Sequence, residues 1–171
     1  MSRSVVMDTN VAIVANGKAS HAGDGCVRIC VNTLVAIRDR YRMLLDDQGA
    51  ILEEYRCYLS PSGQPGPGDA FFKWLWDNQG NLQHCRQIRI TPVSDRRQFE
   101  EFPEDSNLAD FDLSDRKFVA VAIASEEHPT ILNAADTDWW NHRKALVVHG
   151  VTISFLCPEL MRDGSATARR E

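Results

Sequence analysis

Five acids in this chain stand against apolar runs, where an acid is costly unless it has a task. Asp8 closes the run Val5-Val6-Met7, and Asp136 follows Ile131-Leu132-Asn133-Ala134-Ala135. Asp115 opens the apolar stretch Phe118 to Ile123, and Glu53-Glu54 lie between Ile51-Leu52 and Tyr55. In open parallel sheets ligands bind just beyond the carboxyl ends of the strands, so an acid at such an end faces a site. If the strands before Asp8 and Asp136 are neighbours, these two share one edge, and a helix starting at Asp115 points its first turn there. Two carboxylates about 4 Å apart repel by roughly 4 kcal/mol at an effective dielectric of 20. Four of them converge only if protons are retained or a divalent cation is bound. No Lys or Arg adjoins Asp8 or Asp136 in sequence. An all-oxygen donor set suits Mg²⁺ or Mn²⁺, ions that acidify water and stabilise a phosphate leaving group.

Each acid has an ordinary alternative. Asp8 would cap the turn Val11 to Val14, and Asp115 would complete a capping box begun by Asp112. Asp136 would cap a helix over 138–148, with Asp138 in its first turn where the dipole favours it. Glu53 and Glu54 would be a solvated face. One such reading is unremarkable; all of them together at strand ends is less comfortable.

The elements that must carry these acids alternate. Strands are expected at 4–7, 43–45, 87–91, 130–133 and 151–156. Helices are expected at 11–15, about 25–41, the stretch carrying Ile51 to Leu59, about 71–79, Asp115 to about 126, and 138–148. Residues 95–102 are read as helical, 80–87 as a loop, and Ser60 to Gly68 as a loop that Pro and Gly keep irregular. The pattern gives a three-layer α/β/α unit around a central parallel sheet of four to five strands. Residues 1–158 make one domain, with 60–112 as a longer loop-and-helix insertion and 159–171 as a polar tail.

Composition narrows the class. The chain has 171 residues, 43% apolar and 25% charged, with a net charge of −5 and a pI near 5.5. No apolar run approaches the ~18 residues of a membrane span, and one Arg followed directly by a strand gives no signal-peptide pattern. Five cysteines without zinc-finger spacing read as buried free thiols in a reducing cytoplasm; a metal reading of Cys26, Cys30 and His21 is weak. An acidic chain meets nucleic acid only through a local basic patch or bound cations.

Taken together, the acid blocks resemble the PIN-domain nucleases over nearly the whole chain. Val5-Val6-Met7-Asp8-Thr9-Asn10 is similar to the opening strand with its first catalytic acid. Ile51-Leu52-Glu53-Glu54-Tyr55 resembles the second block, with Glu54 the better match. Ser114-Asp115-Arg116-Lys117-Phe118-Val119-Ala120-Val121-Ala122 resembles the third acid and its Ala-rich helix, and Ile131 to Trp139 the fourth block, with Asp136 as ligand and Asp138 as accessory acid. The resemblance implies a metal-dependent ribonuclease: Asp8, Asp115 and Asp136 hold Mg²⁺ or Mn²⁺, Glu54 completes or polarises the site, and Asn10 or Thr9 orients a ligand. It implies RNA as substrate, single-stranded DNA as second candidate, a homodimer, and in toxin relatives an inhibitory antitoxin-like protein. Arg86, Arg89, Arg96, Arg97, Arg143 and Lys144 are candidates for contacts to the nucleic-acid backbone. Trp139 and Trp140 are candidates for base stacking, although helix packing is the better reading of both. Phe71, Phe72, Trp74 and Trp76 are candidates for an interface, with the core as their alternative.

Two other readings compete. A PIN scaffold without activity would serve as an RNA- or protein-binding module. A haloacid-dehalogenase-like phosphatase also carries an acid after its first strand but needs a second acid two residues on, where this chain has Asn10.

Overall fold

The computed structural model describes residues 3–94 and 97–161. In chain order the elements are β1 (Arg3–Met7), α1 (Thr9–Ala15), α2 (Asp24–Arg40), β2 (Tyr41–Asp46), α3 (Ala50–Tyr58), α4 (Pro67–Asn78), β3 (Cys85–Ile88), α5 (Arg116–Ala124), β4 (Thr130–Asn133), α6 (Thr137–Val148) and β5 (Thr152–Phe155). The five strands form one open, all-parallel sheet in the order β3-β2-β1-β4-β5. Helices cover it in a three-layer α/β/α arrangement, with α5 laid across β2, β1 and β4.

The apolar runs dictate this arrangement. Val5, Val6 and Met7 of β1 and Met43, Leu44 and Leu45 of β2 are all buried, as central strands covered on both faces must be. Helix α5 buries nearly every side chain from Lys117 to Ala122, so it cannot lie on a surface. Helix α4 crosses α1 closely: a Cβ on Gly68 would stand 2.3 Å from the Ala12 carbonyl oxygen, so only glycine fits there. Phe71 and Phe72 of α4 are core, Trp74 is half-buried against Phe71 and His84, and Trp76 is exposed.

Three expectations need correction. Strand β3 runs over Cys85–Ile88 rather than 87–91, because Cys85 pairs with Met43 and fills the core while Arg86 and Gln87 project outward from an edge strand. The stretch expected to be helical from 95 to 102 is instead a hairpin-like turn where described. Pro92 bridges Phe99, and the Val93 amide donates to the Gln98 carbonyl at 2.9 Å. Thr91 is held there by Glu101, which accepts from its amide and its hydroxyl. Finally, Cys26 and Cys157 form a disulfide, with Cys30 buried beside them and Cys57 exposed. The burial of Cys26 on α2 was legible; its pairing across 131 residues was not. The reading of buried free thiols therefore holds for Cys30 and Cys85 and fails for Cys26, Cys157 and the exposed Cys57, and His21 is not part of the sulfur group. Among the described residues no helix is long and apolar enough to cross a membrane.

Candidate metal centre

The sheet order puts a switch point between β1 and β4. From β1 the chain moves outward to β2, and from β4 it moves the other way to β5. Asp8 and Asp136 follow these two strands, so both lie at the crevice where ligands bind in open parallel sheets. Met7 pairs with Leu132, and the Asp8 amide donates to the Leu132 carbonyl at 2.9 Å. Asp115 reaches the same place from the start of α5. One carboxylate oxygen from each of Asp8, Asp115 and Asp136 lies within 4.8 Å of the others.

Their bonding separates site from cap. Asp8 Oδ1 accepts the Asn10 amide at 2.9 Å, capping α1. Its Oδ2 is buried with no partner, on a residue only 4% exposed. Asp136 Oδ1 accepts the Asp138 amide at 2.8 Å and caps α6. Asp115 makes no capping bond; the turn before α5 is capped by Asp112, which accepts from Ser114. Asp8 and Asp136 thus cap helices and still face the cluster, and the capping-box alternative for Asp115 does not hold.

Two asparagines fix the edge. Asn10 Oδ1 accepts the Ala134 amide at 3.1 Å, and its Nδ2 lies 3.4 Å from Asn133 Oδ1. Asn133 Oδ1 also accepts the Asp136 amide at 2.9 Å. Asn10 therefore ties α1 to the end of β4. Asn133 was not singled out from the sequence. A fully buried amide at a strand end requires such partners, and that was the signal available.

The electrostatics follow from the crowding. Burial is the main cause that pushes the Asp8 carboxyl up to about 7; the Asn10 amide opposes it, and Asp136 and Glu54 add to it. Burial and then the Asp8 and Asp136 charges push Asp115 up to about 9. Asp136 is raised in the same direction, chiefly by burial. The cluster holds protons that isolated aspartates would lose, or it holds a cation in their place.

Glu54 plays a different part. Its Oε1 accepts from the Lys117 ammonium at 2.7 Å, and its Oε2 accepts from the Thr9 hydroxyl. Tyr55 beside it donates its hydroxyl to the Met7 carbonyl, locking α3 to the end of β1. Glu53 is exposed and faces Arg56. Lys117 also donates to the Ser114 carbonyl, and its side chain is 11% exposed. The sequence alone assigns this lysine no role. It reaches the edge of the cluster, but the described residues include no ion pair from any Lys or Arg to Asp8, Asp115 or Asp136.

The remaining candidates scatter. Asp138 Oδ2 accepts the Asp112 amide at 3.0 Å, and its Oδ1 lies 3.2 Å from His142 Nδ1. It thereby braces the loop before α5 against α6. Arg97 is exposed and lines a cavity of about 710 Å³ together with Gln48, Glu53, Glu54, Tyr58 and Lys117. The three aspartates do not line that cavity, but Glu54 and Lys117, whose charges act on Asp8, do. Arg86 is ion-paired to Glu127 at 2.6 Å, at the amino end of the sheet and away from the acids. Arg143 stacks on Trp140 at 3.8 Å, and Arg89 and Lys144 are exposed. Arg96 lies outside the described residues. Trp139 is fully buried against Phe111 and cannot stack on a base; Trp140 packs on Phe155.

No family model, curated protein or solved structure matches this chain.

Proposed function

We propose that this chain is a divalent-metal-dependent phosphodiesterase of the PIN-nuclease type, acting on RNA. One observation carries the reading: three aspartates from separate segments offer oxygens within 4.8 Å of each other, and Asp8 among them keeps a buried oxygen with no partner. A buried, unpartnered carboxylate oxygen is costly, and a hard cation removes that cost. The donor set is all oxygen, which fits Mg²⁺ or Mn²⁺, and Asp8, Asp115 and Asp136 would hold it. When bound, such an ion supplies Lewis-acid chemistry, making water more acidic and offsetting charge that builds on a phosphoryl oxygen.

The chain's own residues do the rest. The Asn10–Asn133 bridge holds the Asp8 and Asp136 segments at fixed separation. Glu54 is not free to ligate while Thr9 and Lys117 occupy its oxygens, so its role is to hold Lys117 beside the centre. The cavity flanked by Tyr58, Arg97 and Lys117 offers a strand a route to the acids. Asn10 is committed to the Ala134 amide, which leaves a haloacid-dehalogenase-type phosphatase without its second acid. A homodimer, an antitoxin-like inhibitor and a cytoplasmic location belong to the same reading. In the cytoplasm the Cys26–Cys157 bond would form against a reducing pool.

The Lys117–Glu54 pair favours one second reading, a scaffold whose acids are partly neutralised without metal and which binds RNA without cutting it. Incubation with single-stranded and structured RNA, with Mg²⁺, Mn²⁺ or a chelator, separates the two. Metal-dependent cleavage that is lost in a folded Asp8→Asn variant is expected. Binding without cleavage at any metal concentration would favour the scaffold, and hydrolysis of a small phosphomonoester alone would favour the phosphatase.

A further inference from the structure

We propose that the centre takes one divalent ion, on Asp8, Asp115 and Asp136, and that the Lys117 ammonium occupies the place of a second. The inference rests on the metal-centre reading above. Its starting point is the unequal satisfaction of the acids. Asp8 keeps a buried oxygen with no partner, on a residue 4% exposed, so the aspartate side of the cluster is short of a cation. Glu54 is short of nothing: one oxygen takes the Lys117 ammonium at 2.7 Å and the other takes the Thr9 hydroxyl. A second ion on this side of the triad needs the oxygens of Glu54, and each of them already takes a donor.

Lys117 cannot simply swing aside. It stands in the first turn of α5, whose buried face fixes the backbone, and its ammonium is also bound by the Ser114 carbonyl. Its side chain is 11% exposed, less than that of the Glu54 it pairs with. An ammonium has three donors, and two are used by Glu54 and Ser114. The third remains for an incoming oxygen. Lys117 and Glu54 both line the 710 Å³ cavity, so that donor stands where an anionic phosphodiester would arrive. A fixed positive charge in that position neutralises substrate charge as a second ion would.

Counting bound Mn²⁺ tests this without any turnover. Metal-free protein is titrated with Mn²⁺ alone, and free ion is followed by electron paramagnetic resonance. Wild type is expected to bind one ion per chain. Lys117→Met frees Glu54 and is expected to bind two. Glu54→Gln, a second variant that keeps the shape, is expected to remain at one, because Glu54 is not a ligand. Circular dichroism confirms that each variant is folded. Two ions in wild type would overturn the proposal, as would one ion in a folded Lys117→Met or loss of the wild-type ion in Glu54→Gln. Zero ions in wild type at millimolar Mn²⁺ would remove the metal-centre reading itself, and that outcome is distinct from the others.

Discussion

Replacing Asp8 by Asn tests whether this residue is a ligand or a cap. Asn keeps an oxygen for the Asn10 amide, and Asn and Asp cap about equally well, so little should change through capping. What changes is charge. The Asp8 carboxyl titrates near 3.8 when unfolded and near 7 in the fold. The folded state therefore holds a proton over that window while the unfolded state does not. Through this group the stability of the metal-free wild type falls as pH rises from about 4 to about 7, and Asp115, pushed up to about 9, extends the fall above that. Each pH unit is worth about 1.4 kcal/mol, so a window of about three units makes a loss of roughly 4 kcal/mol. Because the proton is shared with Asp115 and Asp136, about 2–3 kcal/mol is the figure to expect from one site.

The asparagine does not titrate, so metal-free Asp8→Asn should gain on wild type as pH rises, by about 2–3 kcal/mol between pH 4.5 and 7.5. Saturating Mn²⁺ should invert the order. At one hundred times the dissociation constant wild type gains about 2.7 kcal/mol, and the variant, short of one ligand, gains far less. Urea denaturation at both pH values, with chelator and with Mn²⁺, measures all four stabilities. A variant about 1 kcal/mol less stable than wild type at every pH, and unmoved by metal, would show that Asp8 is a cap and nothing more.

Two further substitutions separate structure from site. Asp46→Ala should cost about 2–3 kcal/mol in urea denaturation, since three backbone amides, the buried Ile51 amide among them, lose their acceptor. It should leave the Mn²⁺ dissociation constant within about threefold, because Asp46 is not a ligand. Asn133→Ala should both destabilise the fold by about 2 kcal/mol and weaken Mn²⁺ binding by about tenfold, because it frees the Asp136 amide and the Asn10 side chain together. Thermal melting with and without Mn²⁺ reads both effects.

The fold was legible because its signals are local. Apolar runs at 4–7, 43–45 and 130–133 have one reading as buried strands, α2 and α3 carry 3.6-residue apolar faces, and α5 is apolar nearly all round, as a buried helix is. The edge strand β3 was displaced in the reading because an edge tolerates Arg86 and Gln87 at its middle, which hides it in sequence. The turn after it was read as a helix, although Thr91 and Val93 there make pair bonds across to Glu100 and Gln98. At the site, the three aspartates were found from their places at strand and helix ends. Lys117 and Asn133 were not, since nothing in one dimension shows that a lysine on a buried helix crosses to Glu54, or that a strand-end asparagine collects two donors. The disulfide was missed for the same reason: its partners are neighbours only once β5 has closed the sheet.

Asp8 and Asp46 show what makes an acid at a strand end available. Both end buried central strands, and both are almost wholly enclosed. After Asp46 the chain turns through Gly49, at φ 82°, and brings the amides of Gln48, Ala50 and Ile51 around the carboxylate. Every lone pair that matters is taken, and the group serves as a cap. After Asp8 the helix begins at once, at Thr9, so only the Asn10 amide reaches back and the second oxygen is left bare. The difference is the turn. A glycine turn lets the backbone consume its own acid, whereas an immediate helix start cannot. Asp115, with no capping bond at all, lies further along the same scale. Acids left over in this way collect at the edge where β1 and β4 diverge, and among the described residues Lys117 pairs with the neighbouring Glu54 and with none of the three aspartates.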